Sequence, residues 1–206
     1  MYLERPIKDY LDDLAAQKPA PGGGSAAALT AALGTSLMSM VVNYTIGKRE
    51  YKDAEKKISG IMVMVQKFDS ALRQLVDKDA AAYGILSKGL KECKDDVVAR
   101  DVLYKAAIEP PFLVCKISHD CLELCKELAT CGNKKLITDT AIAAIMFEGA
   151  FFSAKFNVYI NLECVSDMDY IASVHKVLQP LEEKMPQLKE EVLELCEEVI
   201  NTAGQR

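Results

Sequence analysis

Histidine occurs only twice in this chain, and none of its seven cysteines belongs to a CxxC pair. A zinc site wants ligand pairs at tight spacing on a turn or knuckle. Cys93, Cys115, Cys121, Cys125, Cys131, Cys164 and Cys196 are therefore read as reduced thiols of a cytoplasmic protein, packing as small hydrophobes. No metal is expected. His119 and His175 have no Ser or Cys partner in a recognisable arrangement, so no nucleophile triad is legible. Basic stripes with interleaved aromatics are missing too, and the formal net charge is −5. That excludes the phosphate footprint on which nucleic-acid binding rests. The first residues, MYLERPIKDYLDDL, hold acids and no continuous apolar run, so no secretory signal is expected. No stretch alternates with period two for long enough to be a confident strand, and no internal repeat or low-complexity linker is found.

What is present is helical periodicity over 206 residues, half of them apolar. That length suits a single domain, residues 1–206, with a core that needs no disulfide or metal staple. Leu3, Ile7, Tyr10 or Leu11, and Leu14 form one short stripe, ended by Lys18-Pro19. A second helix is predicted from about Ser25 to Ile46, closed by Gly47 and the cations Lys48 and Arg49. A third runs from about Asp53 to Leu90. A fourth, opened by Asp95 and Asp96, reaches about Thr130 and should break or kink at Pro110-Pro111. A fifth spans about Leu136 to Leu162. The last begins near Ser166-Asp167 and is expected to break around Pro180 and Pro186. The expected fold is all-α, a multihelical up-and-down bundle of about five to six principal helices.

Two of these helices have no clear polar face. Ser25–Ile46 contains no charge at all and is long enough to span a bilayer, but its many Ser, Thr and Ala residues oppose insertion. It is read as a helix buried in protein, with no membrane partner. Ala141–Leu162 is nearly as apolar. Six helices can barely enclose two such elements, so part of this surface should face another subunit, most simply in a two-fold homodimer.

Three places invite chemistry. PAPGGGS (residues 19–25) runs three glycines, Gly22, Gly23 and Gly24, directly into a helix at Ser25. Glycines let amides approach a ligand, and a helix N-terminus leaves amides unsatisfied; a tight turn with Ser25 as N-cap is the equal alternative. No GK[ST] follows, so a nucleotide loop is unsupported. Asp79 stands on the apolar stripe Val65, Phe68, Leu72, Leu75, Tyr83, Leu86, Leu90. A desolvated acid there suits proton transfer near neutral pH, whereas Asp77 points off the stripe toward solvent. In GNKKLITDT, Asp139 reads as an acid complementing a helix N-terminus. Ser153, Asn157 and Asn161 recur every four residues on an otherwise apolar face, and their partners are expected to be a neighbouring helix or a ligand.

Taken in order, PAPGGGSAAALTAALGTSLMSMV, YTIGKREYKDAEKK, LVDKDAAAY, KAAIEPP and GNKKLITDTAIAAIMFEGAFFSAKFNVYINL resemble the cyclodeaminase part of formiminotransferase-cyclodeaminase and the stand-alone bacterial methenyltetrahydrofolate cyclohydrolases. The resemblance covers about residues 5 to 165. It implies a multihelical fold, at least a dimer, and a tetrahydrofolate substrate with no other cofactor. The expected reaction is cyclodeamination of 5-formiminotetrahydrofolate to 5,10-methenyltetrahydrofolate and ammonia. The alternatives are methenyltetrahydrofolate cyclohydrolase, giving 10-formyltetrahydrofolate, and a non-catalytic folate-binding or scaffold protein. The family's acid/base aspartate falls on Asp79, and the glycine loop, Ser25 and Asp139 fall on motifs expected to line the folate cleft. Tyr83 and Asn157 join them as expected substrate contacts, and Lys48 or Arg49 is expected to meet a glutamate carboxylate. Where the family often reads SDAG, this chain has Thr138-Asp139-Thr140. No formiminotransferase domain accompanies these segments, so a separate formiminotransferase is the implied source of a formimino substrate.

Overall fold

Each long stripe of the sequence becomes one long helix. A computed structural model describes residues 1–203. It contains α1 (Ile7–Ala15), α2 (Gly23–Asn43), α3 (Glu55–Glu92), α4 (Val97–Cys131), α5 (Ile137–Leu162) and α6 (Met168–Ala203). Short 3-10 turns occur at Tyr2–Glu4, Arg49–Ala54 and Lys134–Leu136, and there is no strand among the described residues. The all-α bundle expected from periodicity is the fold observed.

Local chemistry sets several boundaries. Asp96 caps α4, its Oδ1 accepting from the Ala99 amide at 3.0 Å, as residues of its type do. α2 begins two residues before Ser25, with Gly22 at its N-cap and no side-chain cap. Gly47 lies beyond the end of α2, in the turn that follows it, with φ of +74°. That left-handed backbone is one glycine adopts without penalty.

The prolines do not end their helices. α6 runs unbroken through Pro180 and Pro186, contrary to the break expected there, and α4 likewise continues through Pro110 and Pro111. A proline's φ is itself helical; its costs are one lost amide donor and a crowded preceding turn. Pro180 and Pro186 lie on the exposed side of α6, where water can serve the carbonyls they leave unpaired. Pro110 and Pro111 are buried, so core packing offsets the loss. Pro111 has no amide for the carbonyl of Ala107, four residues earlier.

α4 packs against α2, α3, α5 and α6, and α5 packs against α2 and α6 as well. Their shared core includes the fully buried Phe147, Phe151, Met38, Ile58, Leu72 and Ile108. α2 and α5 approach closely because Gly34 faces Phe147: a Cβ at Gly34 would lie 2.8 Å from the ring's Cζ. Asp101 is a structural acid of this core. Its two carboxylate oxygens accept from the amides of Ser166 and Asp167, at 2.8 and 3.0 Å, and fix the turn leading into α6.

α2 and the Lys134–Leu162 stretch have mean hydropathies of 1.6 and 1.4, long and apolar enough to cross a membrane. Over half of the α2 window is buried inside the bundle. α5 is covered less completely. Ile142, Ile145, Phe156 and Ile160 are 44%, 51%, 69% and 68% exposed. At steps of three, eleven and four they share one side of the helix, a stripe this chain does not bury.

Candidate active site

A cavity of about 250 Å³ opens at the N-terminal end of α2. Its floor is the turn Pro19, Ala20, Gly22, Gly23 and Gly24; its walls are Asp79, Ala80, Tyr83 and Leu86 of α3, Ala107 of α4, and Asn157 and Asn161 of α5. Three helices thus converge on the glycine loop, and among the described residues no Lys, Arg or His lines the space.

Asp79 lies directly against Gly24. A Cβ on Gly24 would stand 2.1 Å from Asp79 Oδ1 and 2.6 Å from its Cγ, so the carboxyl occupies the space a side chain would need. Burial pushes the Asp79 carboxyl above its ordinary range, and the backbone amide of Ser25 partly opposes the shift by favouring the anion. Among the described residues no cation pairs with it, in contrast to the Asp69–Arg73 ion pair two turns earlier on α3. An acid that is desolvated, unpaired and open to a cavity is poised to exchange a proton.

Ser25 serves this arrangement from beneath. It is fully buried, its Oγ donating to the Val76 carbonyl at 2.8 Å and lying 3.2 Å from the Tyr10 hydroxyl. Those contacts join α1, α2 and α3 one turn below Asp79, and they keep the hydroxyl out of the cavity. Asp77 is not solvated as expected from its place off the stripe. Its Oδ1 accepts from the Tyr2 amide at 2.8 Å, and Oδ2 is buried without a partner.

Of the expected contacts, Gly22, Gly23, Gly24, Asp79, Tyr83 and Asn157 meet at the cavity. Tyr83 is half exposed at its rim. Lys48 and Arg49 follow the other end of α2, some 30 Å away at 1.5 Å per residue, and border a separate open depression with Glu50. Asp139 lies in the first turn of α5, 18 residues before Asn157 and so about 27 Å along the helix. Both segments belong to the opposite end of the bundle. There Asn133 ties the start of α5 to the end of α2, through its amide to Thr45 Oγ1 and its Nδ2 to the Tyr44 carbonyl. One cavity residue, Asn161, was not among the expected contacts. Its four-residue spacing from Asn157 marked it, but one helix cannot tell whether an amide meets a neighbour or a ligand.

An all-α bundle holding a desolvated acid against a glycine-rich helix start has the groups that a proton-transfer site needs. Comparison with known sequences narrows the class: the family profile described as formiminotransferase-cyclodeaminase matches residues 6–180, and the chain belongs to that family. A methenyltetrahydrofolate cyclohydrolase from Methylorubrum extorquens is 29% identical over 95% of this chain and 97% of its own length. A formimidoyltransferase-cyclodeaminase from Sus scrofa is 31% identical over 87% of this chain, but this covers only 34% of that larger protein. The crystal structure of a formiminotetrahydrofolate cyclodeaminase from Thermotoga maritima superposes with a TM-score of 0.90 at 28% identity, covering 97% of this chain and 100% of that one.

Proposed function

We propose that this chain is a formimidoyltetrahydrofolate cyclodeaminase whose proton-transfer group is Asp79. Family membership and the two relatives matched over nearly their whole length set the class, a one-carbon folate enzyme with cyclodeaminase or cyclohydrolase activity. The observation that carries the mechanism is the desolvated Asp79 carboxyl held against Gly24 in the cavity that gathers the glycine loop.

In the reaction N10 of 5-formiminotetrahydrofolate attacks the formimino carbon. With the formimino group entering protonated, as N5–CH=NH2+, Asp79 accepts the proton that N10 gives up and passes it to the amino nitrogen of the adduct, so that the C–NH3+ bond breaks, ammonia leaves and the cationic N5–C–N10 bridge of 5,10-methenyltetrahydrofolate closes. One group serves as base and then acid, which a carboxyl raised above its ordinary range by burial does better than an ordinary one. The glycine-loop amides of Gly22, Gly23 and Gly24 offer donors to polar ligand atoms, and the Tyr83 ring offers a flat wall at the rim. Holding N10 against the carbon is worth several kcal/mol by itself.

The second reading is hydrolysis: water adds to the methenyl carbon, the C–N5 bond breaks, N5 takes up one proton while another is released, and 10-formyltetrahydrofolate forms. The Methylorubrum extorquens relative, matched end to end, favours it. Near-ultraviolet absorbance of the methenyl bridge separates the two. Growth of the band with ammonia release from 5-formiminotetrahydrofolate identifies the cyclodeaminase; faster decay of added methenyltetrahydrofolate alone identifies the cyclohydrolase. If neither trace departs from its protein-free control, the proposal fails.

A homodimer in the cytoplasm completes the reading. The exposed apolar side of α5 supports the first, and seven unpaired thiols suit a reducing compartment. The chain spans about a third of the length of the two-activity relatives it matches, and a formiminotransferase activity is the source proposed for the formimino substrate.

A further inference from the structure

The polar groups of the cavity are unbalanced. Besides Asp79, its side-chain polar groups are Tyr83, Asn157 and Asn161, with no cation among the described residues. Each asparagine has its amide nitrogen committed to its own helix: Asn157 Nδ2 donates to the Ser153 carbonyl at 3.0 Å, and Asn161 Nδ2 to the Asn157 carbonyl at 2.8 Å. Those bonds hold both side chains in place and leave Oδ1, which has no partner in the protein, as the open end. The amide of Asn157 also lies against the floor, 3.6 Å from where a Cβ of Gly23 would be.

Away from the glycine-loop amides, side chains that present mostly acceptors and no cation disfavour carboxylates and suit a ligand edge made of N–H donors. At about 250 Å³ the cavity is also below the ~300–1,000 Å³ usual for a whole drug-sized ligand. A reduced folate has one end of each kind: a bicyclic head whose aminopyrimidinone edge presents an amino group and a ring N–H, and a tail of glutamate carboxylates. We infer that the cavity is a head-group site, in which Asn157 and Asn161 accept from the aminopyrimidinone edge of the pterin while the glutamate tail lies outside. Asn161 thereby becomes a specificity-determining residue of the folate site. The inference rests on the folate reading above and fixes the orientation of that substrate.

Titration calorimetry with the whole chain tests it, using three probes: 5-formyltetrahydrofolate, a 6-methyltetrahydropterin head and a p-aminobenzoylglutamate tail. The head is expected to bind and to compete with the folate; the tail is expected to do neither. Asn157→Ala and Asn161→Ala each weaken head binding roughly tenfold, the effect of one lost hydrogen bond, and raise KM more than they lower kcat. Asn161→Asp keeps the acceptor oxygens and gives up only the bond to the Asn157 carbonyl, so it binds the head far better than Asn161→Ala. A purely structural role predicts equal loss in both. Folate binding with tail binding but no head binding overturns the inference and leaves the proposed activity standing, as does head binding unaltered in both alanine variants. Loss of all three binding signals in the unmodified protein overturns both.

Discussion

Asp79 and Gly24 form one unit. The carboxyl fills the space a Gly24 side chain would need, so Gly24→Ala must push the acid away from its place. Alanine is a better helix former than glycine by up to about 1 kcal/mol, and the fold should not suffer. Turnover should, by about 10²-fold for a displacement of an ångström; steady-state rates beside a thermal melt check the pair. Asp79→Asn is expected to lower kcat by about 10²–10⁴-fold, the usual contribution of a positioned acid/base group. Its effect on stability has the opposite sign. Burial raises the Asp79 carboxyl, so between the ordinary carboxylate pKa and this raised value the native state holds a proton that the unfolded chain has lost. Stability from this group is complete below that interval and falls as pH rises through it. Asparagine cannot ionise, so Asp79→Asn should melt no lower than the unmodified protein at neutral pH and lose that part of the pH dependence. Melts from acidic to neutral pH would show it; a variant that melts lower at neutral pH would count against a desolvated acid here. Asp79 was legible in the sequence because an acid breaks an apolar stripe. The inward turn of Ser25 was not, because its partners Tyr10 and Val76 come from two other helices.

At the scale of elements, period and punctuation were enough to place five of the helices within a few residues. The exceptions are instructive. Pro180 and Pro186 look like breaks in a linear reading, but a proline on the wet side of a helix costs only donors that water replaces. Whether a side is wet depends on the partners of α6, which the sequence does not display. The same limit hid the relation between the two ends of the bundle: Lys48, Arg49 and Asp139 lie close to cavity segments in family order, while α2 and α5 carry them about 30 Å away. The α2–α5 contact is the joint that sets this geometry. Phe147 is fully buried there, seated against Gly34. Phe147→Ala should cost about 3–5 kcal/mol, read as a shift of the denaturant midpoint. Asn157 lies nearly three turns farther along α5, so a loosened joint should also raise KM in whatever fraction stays folded.

For the whole molecule, the question is what covers α5. Ile142, Ile145, Phe156 and Ile160 are all at least two-fifths exposed, while Leu33 of α2, the helix packed beside it, is 45% exposed. Scattered apolar residues on a surface need no explanation, but an ordered stripe along a helix does. A second copy presenting the same stripe would cover it with the symmetry that closed dimers require, each residue meeting its counterpart's neighbourhood across a two-fold axis. If that is the cover, a charge in the stripe meets its own image at the axis or is buried beside it, and both are unfavourable. Phe156→Glu with Ile160→Glu should therefore convert a dimer to a monomer while leaving far-ultraviolet circular dichroism unchanged, because neither side chain belongs to the monomer's core. Light scattering behind a sizing column gives the mass directly. A monomeric unmodified protein would sink the assembly outright. A dimer that survives both substitutions would move the interface away from α5.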